Sequence, residues 1–151
     1  MIKAIIRTGL LAGTLDAAAA IVNYVVSFGR NPIRVFIYIA SGVFGEDAYN
    51  GDALMPVWGI LFHYTIAFGW TLLFFLLYPR IGILSRNRFI TGTAYGIFVW
   101  LVMTRVVVPL SNVQKFPFNL TNAIVGVVIL IICIGLPISL MAARYYFRKP
   151  D

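Results

Sequence analysis

"PVWGILFHYTIAFGWTLLFFLLY", residues 56 to 78, runs for 23 residues without an aspartate, glutamate, lysine or arginine. At about 1.5 Å per residue a helix of this length rises roughly 34 Å, enough to cross the ~30 Å hydrocarbon core of a bilayer. Pro56 suits the first helical position, where its missing N–H costs nothing. Working outward, three more stretches reach the same length: about 4 to 28, about 89 to 110 and about 119 to 146. Pro137 falls inside the last and is expected to kink it or loosen its hydrogen-bond ladder. The composition agrees. The chain has 151 residues, 61% hydrophobic and only 11% charged, whereas soluble domains carry nearer a quarter charged residues. The expectation is one all-α domain, a polytopic membrane protein of four transmembrane helices.

A cleaved signal peptide is the alternative for the first span, since Lys3 precedes an apolar run with small residues. Asp16 and Asn23 argue against it, because they interrupt the apolar core that such a peptide needs. The formal charge of +7 would suggest nucleic acid in a soluble protein. Here the basic residues flank apolar spans, which is the signature of a cytoplasmic membrane face, so no nucleic-acid partner is expected. Lys3, Arg7, Arg80, Arg86, Arg88, Arg144, Arg148 and Lys149 fall on one side of the predicted topology, against Arg30, Arg34 and Lys115 on the other. Both termini are therefore expected in the cytoplasm.

The connection from about 29 to 55 then faces outward. Asn31 can cap a helix with Pro32 at its first position. Residues 33 to 41 are too few to span, and read as a short helix lying at the outer interface or dipping into it. "GEDAYNGD" after it is a solvated turn. "NLT" at 119 to 121 has the form of a glycosylation acceptor, a pattern common by chance.

Small residues mark where membrane helices approach closely. Gly9, Gly13, Asp16, Ala20 and Asn23 recur at intervals of four, three, four and three, so one helical face carries all five. The second span places Gly59, His63 and Ala67 four apart, the third holds the GxxxG pair Gly92 and Gly96, and Gly126 shares a face with Asn122 in the fourth. Asp16 thus sits on a face where a neighbouring helix should pack. From the helical rise, Asp16 lies roughly 18 Å from the inner boundary, His63 roughly 10 Å below the outer one and Arg105 roughly 7 Å below it. These residues and Asn23 define an expected polar cluster in the outer half of the membrane.

An isolated charge at mid-bilayer costs about 2.5 to 3.5 kcal/mol or more, so such groups pair or face a cavity. Asp16 is too short and too deep to reach water. Either Arg105 meets it, directly or through His63, or Arg105 extends to the outer headgroups. Alternatively Asp16 is neutral and donates to a backbone carbonyl. His63 either packs or titrates. Trp58 and Trp70 read as lipid-facing or interfacial rather than as a cofactor site. With one cysteine, Cys133, and one histidine, no disulfide, CxxC pair or thiolate zinc site can form within the chain. No cofactor, metal or catalytic motif is expected.

"GLLAG" near the start, the long outward connection, "GILFHYTIAFGWTLLFFLLYP" and "VVVPLS" resemble the YagU-type family of bacterial inner-membrane proteins. The resemblance implies a bacterial inner-membrane location and a connection with acid tolerance; it supplies no catalytic residues. The foremost functional expectation is an accessory subunit that packs against itself or a larger membrane complex. The alternative is a homo-oligomeric proton-linked or small-solute transporter using Asp16, His63 and Arg105. An enzyme is the least supported.

Overall fold

The computed structural model describes residues 1 to 147, all of whose regular structure is helical. Arg148 and Lys149, counted above for orientation, lie outside the described residues. Four helices are long and apolar enough to cross a membrane: α1 (Ile2–Phe28), α3 (Met55–Leu77), α4 (Arg88–Leu110) and α5 (Leu120–Phe147). Between the first two lies α2 (Ile33–Phe44), three residues longer than the sequence suggests because the small residues after Ile39 continue it until Gly45.

Each boundary has a local cause. Gly29, at φ 59°, ends α1 in the left-handed region that glycine enters without steric cost. The Asn31 carboxamide accepts the Ile33 N–H at 3.0 Å, starting α2 with Pro32 in place. Asn87 receives the N–H groups of Phe89 and Ile90, and Asn119 receives that of Asn122. Asn119 therefore has a structural duty, as the cap that opens α5.

Pro109 and Pro137 share one device. Each follows by two residues a π-helical turn, Met103–Val107 in α4 and Ile131–Gly135 in α5. A mid-helix proline lacks an N–H and its ring crowds the carbonyl four residues earlier, here Arg105 and Cys133. Both carbonyls lie in a π turn, whose wider winding relieves the clash. The ladder is thus loosened at Pro137 and, beyond what sequence reading anticipated, at Pro109 too.

Large apolar side chains cover the outside. Leu10, Val26, Leu61, Ile90 and Ile132 are all exposed, and only 17 to 33% of each span's most apolar window is buried. In water such a surface would aggregate; against lipid it is the expected outer face. Where α1 meets α3 the inside is made mainly of small and hydroxylated residues, Thr8, Gly9, Ala12, Gly13 and Ala17 on α1 and Gly59, Ala67 and Thr71 on α3, with His63 among them.

Around the bundle, α1 touches α3 and α5, and α4 packs on α5. The ring closes where α4 meets α3: the Tyr95 hydroxyl donates to the Trp70 carbonyl at 2.7 Å, and the Trp70 ring meets those of Tyr95 and Phe98 edge-on. Hydroxyls also tie the other helices. Tyr146 donates to the Phe75 carbonyl and Ser139 to that of Arg88. Phe74, Phe75, Tyr78, Tyr95, Ile134 and Ile138 fill the half of the bundle nearest the 3–4 connection. The other half, beneath α2, is hollow. Tyr95→Phe should lower stability by about 1 kcal/mol, the net worth of one interhelical hydrogen bond, read as a reduced unfolding temperature in detergent.

Candidate functional site

Gly13 has no side chain, so α3 comes in close. A Cβ placed there would lie 3.0 Å from the Tyr64 ring and 3.2 Å from the Ala67 Cβ. This approach brings His63 onto the backbone of α1, where its Nε2 lies 2.8 Å from the Gly13 carbonyl oxygen. A carbonyl only accepts, so Nε2 carries the hydrogen in this bond. The other ring nitrogen, Nδ1, then faces Asp16 Oδ2 at 4.0 Å.

The two groups thus offer one place for one further proton, on the carboxyl or on the imidazole. Either arrangement is neutral as a pair, which is how an ionisable group is tolerated in a medium that penalises isolated charge. Both side chains are largely buried, 19% exposed for Asp16 and 10% for His63. Beside them the Thr14 and Tyr64 hydroxyls bond at 2.8 Å, a second polar tie between α1 and α3.

The pair lies on the wall of a cavity of about 420 Å³, within the range of small-molecule sites. Ala17 and Ala20 of α1, Ala67 and Trp70 of α3, Val99 and Met103 of α4 and Ile134 of α5 continue the wall. Apart from Asp16 and His63 the surroundings are overwhelmingly apolar. Trp70 therefore faces this interior, which its place in an aromatic-rich span did not reveal.

Helix α2 forms the remaining wall, with Tyr38, Ile39 and Gly42. Gly59 makes this possible: a Cβ there would fall on the backbone of Phe36, so only glycine lets α2 rest on α3. On its far side α2 is stitched to the segment after α4, whose Asn112 donates its backbone N–H to the Gly42 carbonyl at 3.0 Å. Burial, and secondarily neighbouring Tyr49, raise the Tyr38 phenol above its ordinary range, so it remains neutral at physiological pH.

Of the four residues expected to cluster, the structure joins Asp16 and His63 only. Asn23 is exposed near the end of α1. Arg105 is exposed within the π turn of α4, lines no part of the cavity and is in no ion pair among the described residues. The expected Asp16–Arg105 contact is absent because Gly92 and Gly96 face α5 and Arg105 lies on the opposite side of its helix.

The glycines do act as packing positions, each within the chain. Gly9 faces Phe68, Gly13 faces Tyr64, Gly92 and Gly96 face Gly135, Leu136 and Ile131, and Gly126 faces Trp100. Gly135 comes nearly as close to a neighbouring backbone, that of Gly92, as Gly59 does to Phe36. Its place two residues before Pro137 was the available signal, and it closes the π turn that packs against α4.

Compared with known protein families, with curated proteins and with solved structures, the chain matches none.

Proposed function

We propose that this protein binds a small, largely apolar solute carrying one cationic or hydrogen-bond-donating group, and moves it across the membrane in exchange for a proton. The observation that carries this reading is the Asp16–His63 pair on the wall of an otherwise apolar cavity. An apolar body fits the wall, and an ammonium group takes the place of the proton beside Asp16. Protein–solute attraction and proton affinity then oppose one another at a single group, which is the minimum requirement for coupling two fluxes.

One chain encloses the cavity, so binding needs no second copy. A role as accessory subunit draws on the small size, the glycine-lined faces and the absence of a catalytic set, and of these the glycine faces are occupied within the chain. That reading would regain its support from a stoichiometric foreign subunit recovered with the protein from native membranes.

We place both termini in the cytoplasm of a bacterial inner membrane. The support is the excess of Lys3, Arg7, Arg80, Arg86, Arg88 and Arg144 over Arg30, Arg34 and Lys115, with the YagU-type resemblance for the location. On this orientation α2 and the cavity face outward.

The test uses dansylcadaverine, a fluorescent amine with an apolar body. Binding to the protein in detergent should release about one proton per probe and weaken as pH falls, because protons and amine compete for the Asp16 carboxylate. In proteoliposomes an imposed pH gradient should drive uptake. Asp16→Asn should abolish proton release and gradient-driven uptake. Unchanged binding and uptake in a folded Asp16→Asn protein would overturn the proposal.

A further inference from the structure

A second cavity, of about 800 Å³, opens at the opposite end of the bundle from α2. Arg86 and Arg88 reach it from the start of α4 and Arg144 from the last turns of α5. Among the described residues none of the three is in an ion pair. Three guanidinium groups around one groove repel each other unless an anion joins them.

An independent feature points the same way. Tyr78 also lines this groove and is only 3% exposed, yet its buried hydroxyl has no hydrogen-bond partner among the described residues. Such an orphaned donor is uncommon and costly, and a group that accepts its hydrogen would remove the cost. Neighbouring Asn87 cannot serve, since its side-chain oxygen already receives Phe89 and Ile90.

We propose that this groove is a phosphate-binding site, in which the forked donors of Arg86, Arg88 and Arg144 and the Tyr78 hydroxyl converge on phosphate oxygens. The groove lies where the apolar spans end, at the level of lipid headgroups. Phe89 and Phe147 on its rim are more than half exposed, so a phosphate carrying acyl chains finds apolar surface beside the cations. Acidic phospholipid and free inorganic phosphate share the chemistry, and the experiment separates them.

The full chain in uncharged detergent is titrated with dioleoyl phosphatidylglycerol, with dioleoylglycerol as the phosphate-free lipid and with inorganic phosphate alone. Bound mass is read by native mass spectrometry and the unfolding temperature by thermal denaturation. Phosphatidylglycerol should bind and raise the unfolding temperature, and dioleoylglycerol should do neither. Protection by inorganic phosphate at equal concentration would support the same site with a soluble occupant. At about 1 kcal/mol, or fivefold, for each basic residue near an anionic surface, R86Q/R88Q/R144Q should bind roughly a hundredfold more weakly. Y78F, which keeps the ring and the packing, should bind several-fold more weakly while the apo protein unfolds at the wild-type temperature or above it. As a control for diffuse attraction, R30Q/R34Q/K115Q should bind as the wild type does. Equal loss in both triple variants, equal binding of both lipids, or binding of no phosphate at all would overturn the proposal.

Discussion

Gly59→Ala should destabilise the protein while Gly69→Ala, ten residues further along the same helix, should stabilise it. The substitution is identical, and so is its intrinsic effect: alanine in a helix interior gains about 0.5 to 1 kcal/mol over glycine by losing less backbone entropy on folding. The surroundings decide the sign. Around Gly69 an added Cβ meets no other atom within 4 Å, so the intrinsic gain stands alone. At Gly59 the same Cβ falls on the backbone of Phe36, and a carbonyl held in a helical ladder cannot swing aside as a side chain can. Either α2 lifts off α3 or both helices distort, and overpacking of this kind costs about 1 to 3 kcal/mol or more. Because α2 is also a cavity wall, Gly59→Ala should weaken solute binding too. Gly135→Ala is the equivalent change between α4 and α5, where the new atom meets the Gly92 backbone. Unfolding temperatures in one detergent check all three. A neutral Gly59→Ala would mean that α2 is not seated on α3 as described.

How far the sequence discloses this structure depends on the range of the interaction concerned. The four long apolar helices follow from length and composition, because a bilayer imposes a minimum span and forbids uncovered backbone. Glycine spacing discloses which faces pack, and Gly9, Gly13, Gly59, Gly92 and Gly96 all do so. The identity of the partner helix is a long-range property that spacing does not encode. That is why four polar residues at one estimated depth read as a cluster, although depth says nothing about rotation around the helix axis. Arg105 shows the error most plainly. It lies within the expected span, but on the far side of α4 from the packed glycines. The cavity was equally hidden, because it arises from what is missing between α2 and the four long helices. No residue type advertises an unfilled volume, and although α2 was legible as a short helix, its seat on α3 as a cavity wall was not.

Double-mutant cycles in detergent should give Asp16 and His63 a coupling of about 1 kcal/mol or more, and Asp16 and Arg105 a coupling near zero. The first pair shares a wall and a 4.0 Å approach, and groups in one buried network couple by about 0.5 to 3 kcal/mol. The magnitude also reports the state of the pair. Interhelical hydrogen bonds in a membrane protein couple by about 0.6 kcal/mol on average, whereas close, desolvated charge pairs couple by about 1.5 to 7 kcal/mol. A coupling well above the hydrogen-bond average would therefore mean that the proton resides on His63, one of the two arrangements from which an ammonium group can displace it. Arg105→Gln alone should change stability by no more than about 0.5 kcal/mol, as befits an exposed side chain outside any network. A strong Asp16–Arg105 coupling would instead require α4 to rotate by roughly half a turn. That rotation would also withdraw Gly92 and Gly96 from Gly135, so the glycine substitutions and the charge cycle test the same helix orientation by independent routes.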